Sequence, residues 1–170
     1  MTVSLLKTLV KEFPAACPLL GLDVGKKTIG VAVCDDSQRI ATPVETIKRT
    51  KFSQDLKALE RIVKDFEAGG FVVGFPLNMD GSEGRSAQSV RDFALELERQ
   101  ISKELFPDGT VWIALVDERL STDTVDDLVG RSVDKKKTRL RAKEDGLTDK
   151  LVAMTILQEA LDTLFRLRRG

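Results

Sequence analysis

Three carboxylates carry the chemistry this chain could do. Asp23 interrupts an apolar run, Leu19-Leu20-Gly21-Leu22-Asp23-Val24. Asp is poor strand material, and an unpartnered buried carboxylate is costly to desolvate. Glu118 follows the apolar run 111–116, and Asp149 falls in the first turn of the last predicted helix. On that helix Asp149, Ala153, Ile156 and Ala160 share a face at spacings of four, three and four. The apolar members must face the sheet, so Asp149 is directed toward the strand ends. In an open α/β sheet ligands gather beyond the carboxyl ends of the strands, and three acids from distant segments would meet at that rim. Clustered carboxylates repel, and a hard cation relieves the repulsion. Magnesium favours a few carboxylates plus substrate phosphate. Two such ions roughly 3.5–4 Å apart support in-line phosphodiester cleavage without histidine.

Each acid also has a plainer reading. Asp23 could be satisfied by turn amides or by Lys26. Glu118 could pair with Arg119 at the surface, with Asp117 competing for its role. Asp149 is what a helix dipole favours in a first turn with no function attached.

Composition narrows the chemistry. The chain has 170 residues, 42% hydrophobic and 32% charged, with 27 basic and 27 acidic residues. That length fits one domain with a sizeable core. Zero net charge excludes a uniformly basic nucleic-acid coat but not a local basic patch. The absence of histidine removes histidine triads, bases and zinc sites. Two cysteines, Cys17 and Cys34, are too few for a disulfide framework and fit a reducing cytosol. No run reaches the length of a membrane span, and the first 18 residues lack a continuous secretory core. A cytoplasmic location is expected.

The elements that must position the acids follow from hydrophobic spacing. Apolar residues at 5, 6, 9, 10 and 13 predict a short helix over 3–13, ended by Pro14 and Pro18. Leu19–Val24 and Thr28–Cys34 read as strands joined by Gly25-Lys26-Lys27, and 41–48 as a third strand. Glycines 21, 25 and 30 leave room for backbone or ligand. Ser53 is the expected cap of a helix to about Ala68. The fully apolar run 71–75 reads as a central parallel strand. A loop over 76–84 leads to a long helix ending near Leu105, then comes the strand 111–116 and a short helix from about Thr122. The stretch 130–146 reads as a polar, basic loop. Thr148 is the expected cap of a final helix to about Arg166. The fold class is therefore α/β: a mixed five-stranded sheet, three meandering strands then two parallel ones, flanked by helices. Residues 1–18 form a helical extension and 19–166 the domain proper.

Two further features point to a polyanion. The loop 76–84 enters a helix, so its amides could receive a phosphate, with Asn78 and Ser82 adding side-chain bonds. Plain turn chemistry, with Ser82 capping the helix, explains the same residues. The run Lys135-Lys136-Lys137-Thr138-Arg139-Leu140-Arg141-Ala142-Lys143 holds six basic residues in nine. It stands close in sequence to Asp149 and would attract nucleic-acid phosphates, with steep salt dependence, unless it is only a solvated loop. Arg166, Arg168 and Arg169 read as a solvated tail, and Trp112 as packing rather than a base-stacking platform.

Four stretches together, GLDVGKKTIGVAV (21–33), VVGFPLNMDGSEG (72–84), DERLST (117–122) and TDKLVAMTILQ (148–158), resemble the YqgF/RuvX family in content, order and spacing. The resemblance covers residues 19 to about 160. It implies an RNase H-like fold, Asp23, Glu118 and Asp149 as metal-binding catalytic acids, and phosphodiester cleavage with magnesium or manganese. It also implies trimming of the 5′ end of pre-16S rRNA during ribosome maturation, by a monomer or homodimer. Fold alone does not fix substrate, so branched DNA stays open as a resolvase substrate, as does a non-catalytic RNA-binding module. An actin-like ATPase or sugar kinase also carries a Leu-Asp-Val-Gly strand, but needs about twice this length.

Overall fold

The computed structural model describes residues 3–6, 14–78, 80–107, 109–117 and 147–169. Among the described residues the strands and α-helices follow in chain order: β1 (Val3–Leu5), β2 (Leu20–Val24), β3 (Thr28–Cys34), β4 (Ala41–Lys48), α1 (Phe52–Phe66), β5 (Gly70–Phe75), α2 (Arg85–Gln100), β6 (Trp112–Asp117) and α3 (Leu147–Arg169). They build one mixed sheet in the order β1-β6-β5-β2-β3-β4. Strands β2, β3 and β4 meander antiparallel, while β5 and β6 run parallel to β2. This is the expected arrangement with one strand added.

The added strand corrects the N-terminal expectation. Val3–Leu5 is extended and pairs parallel with β6, Val3 opposite Ile113 and Leu5 opposite Leu115. Without it the apolar strand β6 would present an open edge, which folded sheets avoid. Pairing of that edge overrides the helical spacing of the local sequence. Residues 7–13 lie outside the described residues, as do the helix expected near Thr122 and the basic stretch 130–146.

Strand alternation sends two sets of side chains to opposite faces. Leu20, Leu22, Phe71, Val73, Phe75, Ile113 and Leu115 pack with α1 and α2. Leu19, Ala32, Cys34, Val72, Trp112 and Ala114 pack with Ala153, Ile156, Leu157, Ala160 and Leu161 of α3. The inward face of α3 expected from spacing is buried as expected: Ala153, Ile156 and Ala160 are fully covered. Three helix caps differ from expectation. Lys51 and Gly84 precede α1 and α2 without side-chain capping bonds, so Ser53 and Ser82 do not cap. Thr148 lies within α3 rather than ahead of it.

Both cysteines belong to the packing. The Leu19 amide donates to Cys34 Sγ at 3.2 Å. Burial pushes the Cys34 thiol up to about 11, against the opposing pull of that amide. Burial raises Cys17 as well. Thiols held protonated are poor nucleophiles.

Candidate active site at the carboxyl ends of the strands

Gly30 is the hinge of the site. Asp23 of β2 stands directly opposite Gly30 of β3 in the antiparallel ladder, so the two residues share a face. Gly21, two residues before Asp23, faces α3: a Cβ there would lie 2.7 Å from Leu157 Cβ and 2.8 Å from the Ala153 carbonyl oxygen. Gly30 faces the first turn of α3 still more closely. A Cβ on it would lie 2.1 Å from the Asp149 carbonyl oxygen and 3.0 Å from Asp149 Cβ. Opposed residues in such a ladder hold their Cβ positions about 4.5–5.5 Å apart, which places the Asp23 and Asp149 Cβ atoms within about 8.5 Å of each other. Two carboxylates on one face at that separation can reach one cation.

Thr28 fixes one of them. Its hydroxyl donates to Asp149 Oδ2 at 2.8 Å, and both Asp23 and Asp149 are half-buried. The bond ties the start of α3 to the first residue of β3 across 121 positions of sequence. Asp149 also sits in the first helical turn, where the helix dipole favours negative charge.

The strand faces place one of the two candidate acids at the end of β6. Leu115 packs on the α1–α2 side and Val116 on the α3 side, so alternation returns Asp117 to the α1–α2 side. Its ladder partner Phe75 packs there too. Asp117 thus points away from the face that Asp23 and Asp149 share. Glu118 lies outside the described residues, and so do Lys135, Lys136, Lys137, Arg139 and Arg141.

Asn78 and Ser82 are engaged with each other. Asn78 Nδ2 donates to Ser82 Oγ at 3.0 Å, and the Asn78 amide donates to the Ser82 carbonyl at 2.9 Å. Ser82 also donates to Asp80 Oδ1 through its hydroxyl at 2.6 Å and its amide at 2.9 Å. Gly81 takes the left-handed conformation at φ +87° that closes this turn. The two side chains shape the loop between β5 and α2.

A second polar network braces the turn after Asp23. Arg49 Nη1 donates to the Gly25 carbonyl at 2.6 Å, and the Arg49 amide donates to the Lys27 carbonyl at 2.8 Å. The guanidinium stacks over Phe93, 5.3 Å from its ring centroid. Its Nε lies 3.6 Å from Oδ2 of Asp55, which is 2% exposed and also accepts from the Thr50 amide at 3.1 Å. A buried carboxylate needs such partners. Sequence reasoning missed this pair, although the signal was present: Asp55, Leu59 and Ile62 share one helical face, so an acid stands on the apolar side of α1.

The donor set suits a hard divalent cation: two half-buried carboxylates on one face, with no histidine in the chain. Among the described residues no group of three or more acids, cysteines or histidines gathers, so the described part of the set is the Asp23–Asp149 pair.

A mixed α/β domain with two carboxylates at the strand ends is the class this fold and site define. The family model described as "RuvX: Holliday junction resolvase" matches residues 18–163. A relative from Rhodospirillum centenum is 42% identical over 172 residues, covering all of this chain and 85% of its own length. One from Bradyrhizobium diazoefficiens is 46% identical over 160 residues, covering 94% of this chain and 91% of its own. Both carry the provisional name pre-16S rRNA nuclease. The chain belongs to the RuvX family. Among solved structures, Thermus thermophilus RuvC in complex with a Holliday junction substrate is similar at 15% identity and a TM-score of 0.49, over 91% of this chain and 96% of that one.

Proposed function

We propose that this chain is a divalent-metal-dependent endonuclease that cleaves phosphodiester bonds, with precursor 16S rRNA as its substrate and its 5′ end as the place of cleavage. The observation that carries the reading is the meeting of Asp23 and Asp149 over Gly30, supported by relatives named for that activity. Asp23, Asp149 and Glu118 are the catalytic and metal-binding carboxylates. In sequence Glu118 continues the series 112, 114, 116, whose side chains pack toward α3. Magnesium or manganese bound by these acids would supply Lewis-acid stabilisation of phosphoryl oxygens and activation of water. Thr28 orients the Asp149 carboxylate. Lys135, Lys136, Lys137, Arg139 and Arg141 draw the polyanion toward the site, and Asn78 with Ser82 shapes the substrate side of the rim. With precursor rRNA as substrate the place of work is the cytoplasm. No described helix is long and apolar enough to cross a membrane.

The test is cleavage of a 5′-labelled 16S precursor by purified protein with magnesium or manganese. Asp23→Asn should lower the rate at least about a hundredfold, about 2.7 kcal/mol of barrier, while RNA binding and thermal stability persist. Unchanged cleavage by that variant would remove Asp23 from the site. Binding by the native protein without metal-dependent products would favour a non-catalytic assembly module, and paired nicks in four-way DNA would favour a resolvase.

A further inference from the structure

A cleft of about 320 Å³ opens at the same end of the sheet as Asp23, on the α2 side of β2. Its walls come from three segments: Val24 at the end of β2 with Lys26 just beyond it, Pro76 after β5, and Arg85, Ser86 and Ser89 in the first two turns of α2. Two of these residues are cations, two are hydroxyls, and no carboxylate lines the cleft. Neither Lys26 nor Arg85 forms an ion pair with a described residue. In a chain of zero net charge, a concave site lined by cations alone concentrates positive potential. Lys26 is also held in place, because Arg49 bonds the carbonyls of Gly25 and Lys27 on either side of it.

From this we infer that the cleft is a backbone-binding subsite for a nucleic-acid strand that crosses the rim beside Asp23. The inference rests on the nuclease reading above and adds to it where the strand lies and what grips it. Lys26 and Arg85 pair with phosphate oxygens, Ser86 and Ser89 bond the same backbone, and Val24 with Pro76 forms the apolar wall beneath a sugar. Asp23 and Val24 are consecutive and face opposite sides of β2, so a strand gripped in the cleft reaches the acid pair by crossing the end of that one strand. Phosphate is common to RNA and DNA, so the grip does not distinguish them.

The experiment is anisotropy of a fluorescein-labelled 12-nucleotide single strand, as RNA and as DNA of the same sequence, titrated with the full chain over a range of salt in EDTA. For single strands the slope of log K against log salt changes by about 0.7 for each phosphate contact. Lys26→Ala with Arg85→Ala should flatten the slope by roughly 1.4 for both strands. Lys26→Arg with Arg85→Lys should restore it. Lys57→Ala with Lys64→Ala removes the same charge from exposed positions of α1 and should leave the slope unchanged. An unchanged slope in the first pair overturns the subsite, as does an equal loss in the α1 pair or an effect confined to RNA. No bond is broken in EDTA, so these outcomes are separate from the cleavage test of Asp23→Asn, which decides the nuclease reading.

Discussion

Replacing Gly30 with alanine tests the central geometry. The added methyl would stand 2.1 Å from the Asp149 carbonyl oxygen and 2.4 Å from its carbonyl carbon. Both are backbone atoms of the first turn of α3, so no side-chain rotation relieves the overlap. Ordinary contact between such atoms needs about 3.5 Å, and the helix end must retreat by about 1 Å or more. Inserting a methylene-sized group into a packed core costs roughly 1–3 kcal/mol, and the rigid neighbour places this case near the upper end. At about 2–4 °C per kcal/mol for a chain of this size, calorimetry should show the melting temperature falling by roughly 6–12 °C. The same retreat breaks the Thr28–Asp149 bond and separates Asp149 from Asp23, so cleavage at a temperature where the variant is folded should fall as well. Gly25→Ala is the internal comparison, because its nearest neighbour, the Thr28 carbonyl oxygen, is 3.3 Å away; it should cost under about 1 kcal/mol. A Gly30→Ala protein with native melting temperature and native cleavage would refute the close approach of α3 to β3, and with it the meeting of the two acids.

Two further outcomes follow from single contacts. Thr28→Val removes the donor to Asp149 Oδ2 while keeping the side chain's shape; cleavage should fall about tenfold, near 1.4 kcal/mol, with metal concentration needed for half-maximal rate raised, and an unchanged metal dependence would assign Thr28 a purely structural role. Glu67 ends α1 in the left-handed conformation at φ +55°, which favours glycine; Glu67→Gly should raise stability by about 0.5–1 kcal/mol, read as a higher denaturant midpoint at unchanged m-value.

The sequence was most legible where one pattern had one structural solution. The meander of β2, β3 and β4 and the parallel run of β5 and β6 follow from apolar runs broken by turn residues. The inward face of α3 follows from spacing, and the same spacing directs Asp149 to the rim. The N-terminal strand was not legible: residues 3–5 are strand only because β6 offers an edge, a long-range cause that local spacing does not carry. Caps were misread for a related reason. Ser53 and Ser82 have the right chemistry, but α1 starts at Phe52 and α2 at Arg85, and a one- or two-residue shift removes a cap. Between Asp117 and Glu118 the sequence left a tie. The register of β6 turns Asp117 toward α1 and α2, away from the face that Asp23 and Asp149 share, and Glu118 lies outside the described residues.

The glycines explain why the acids meet at all. On the α1–α2 side the sheet presents large side chains, Leu20, Leu22, Phe71, Val73 and Phe75, which hold the helices at ordinary packing distance. On the α3 side the corresponding positions of β2 and β3 are Gly21, Gly30 and Ala32. Asp149, Ala153 and Leu157 lie at successive spacings of four along α3, and all three come within contact of where a Cβ would stand on Gly30 or Gly21. The helix therefore settles onto the sheet backbone along that stripe. Ordinary side chains at 21 and 30 would lift α3 and carry Asp149 away from Asp23. The dipole that favours an acid in the first turn of a helix and the function proposed for Asp149 are then not rivals. The dipole and the Thr28 hydroxyl offset the repulsion that two carboxylates this close impose, and the glycines supply the proximity.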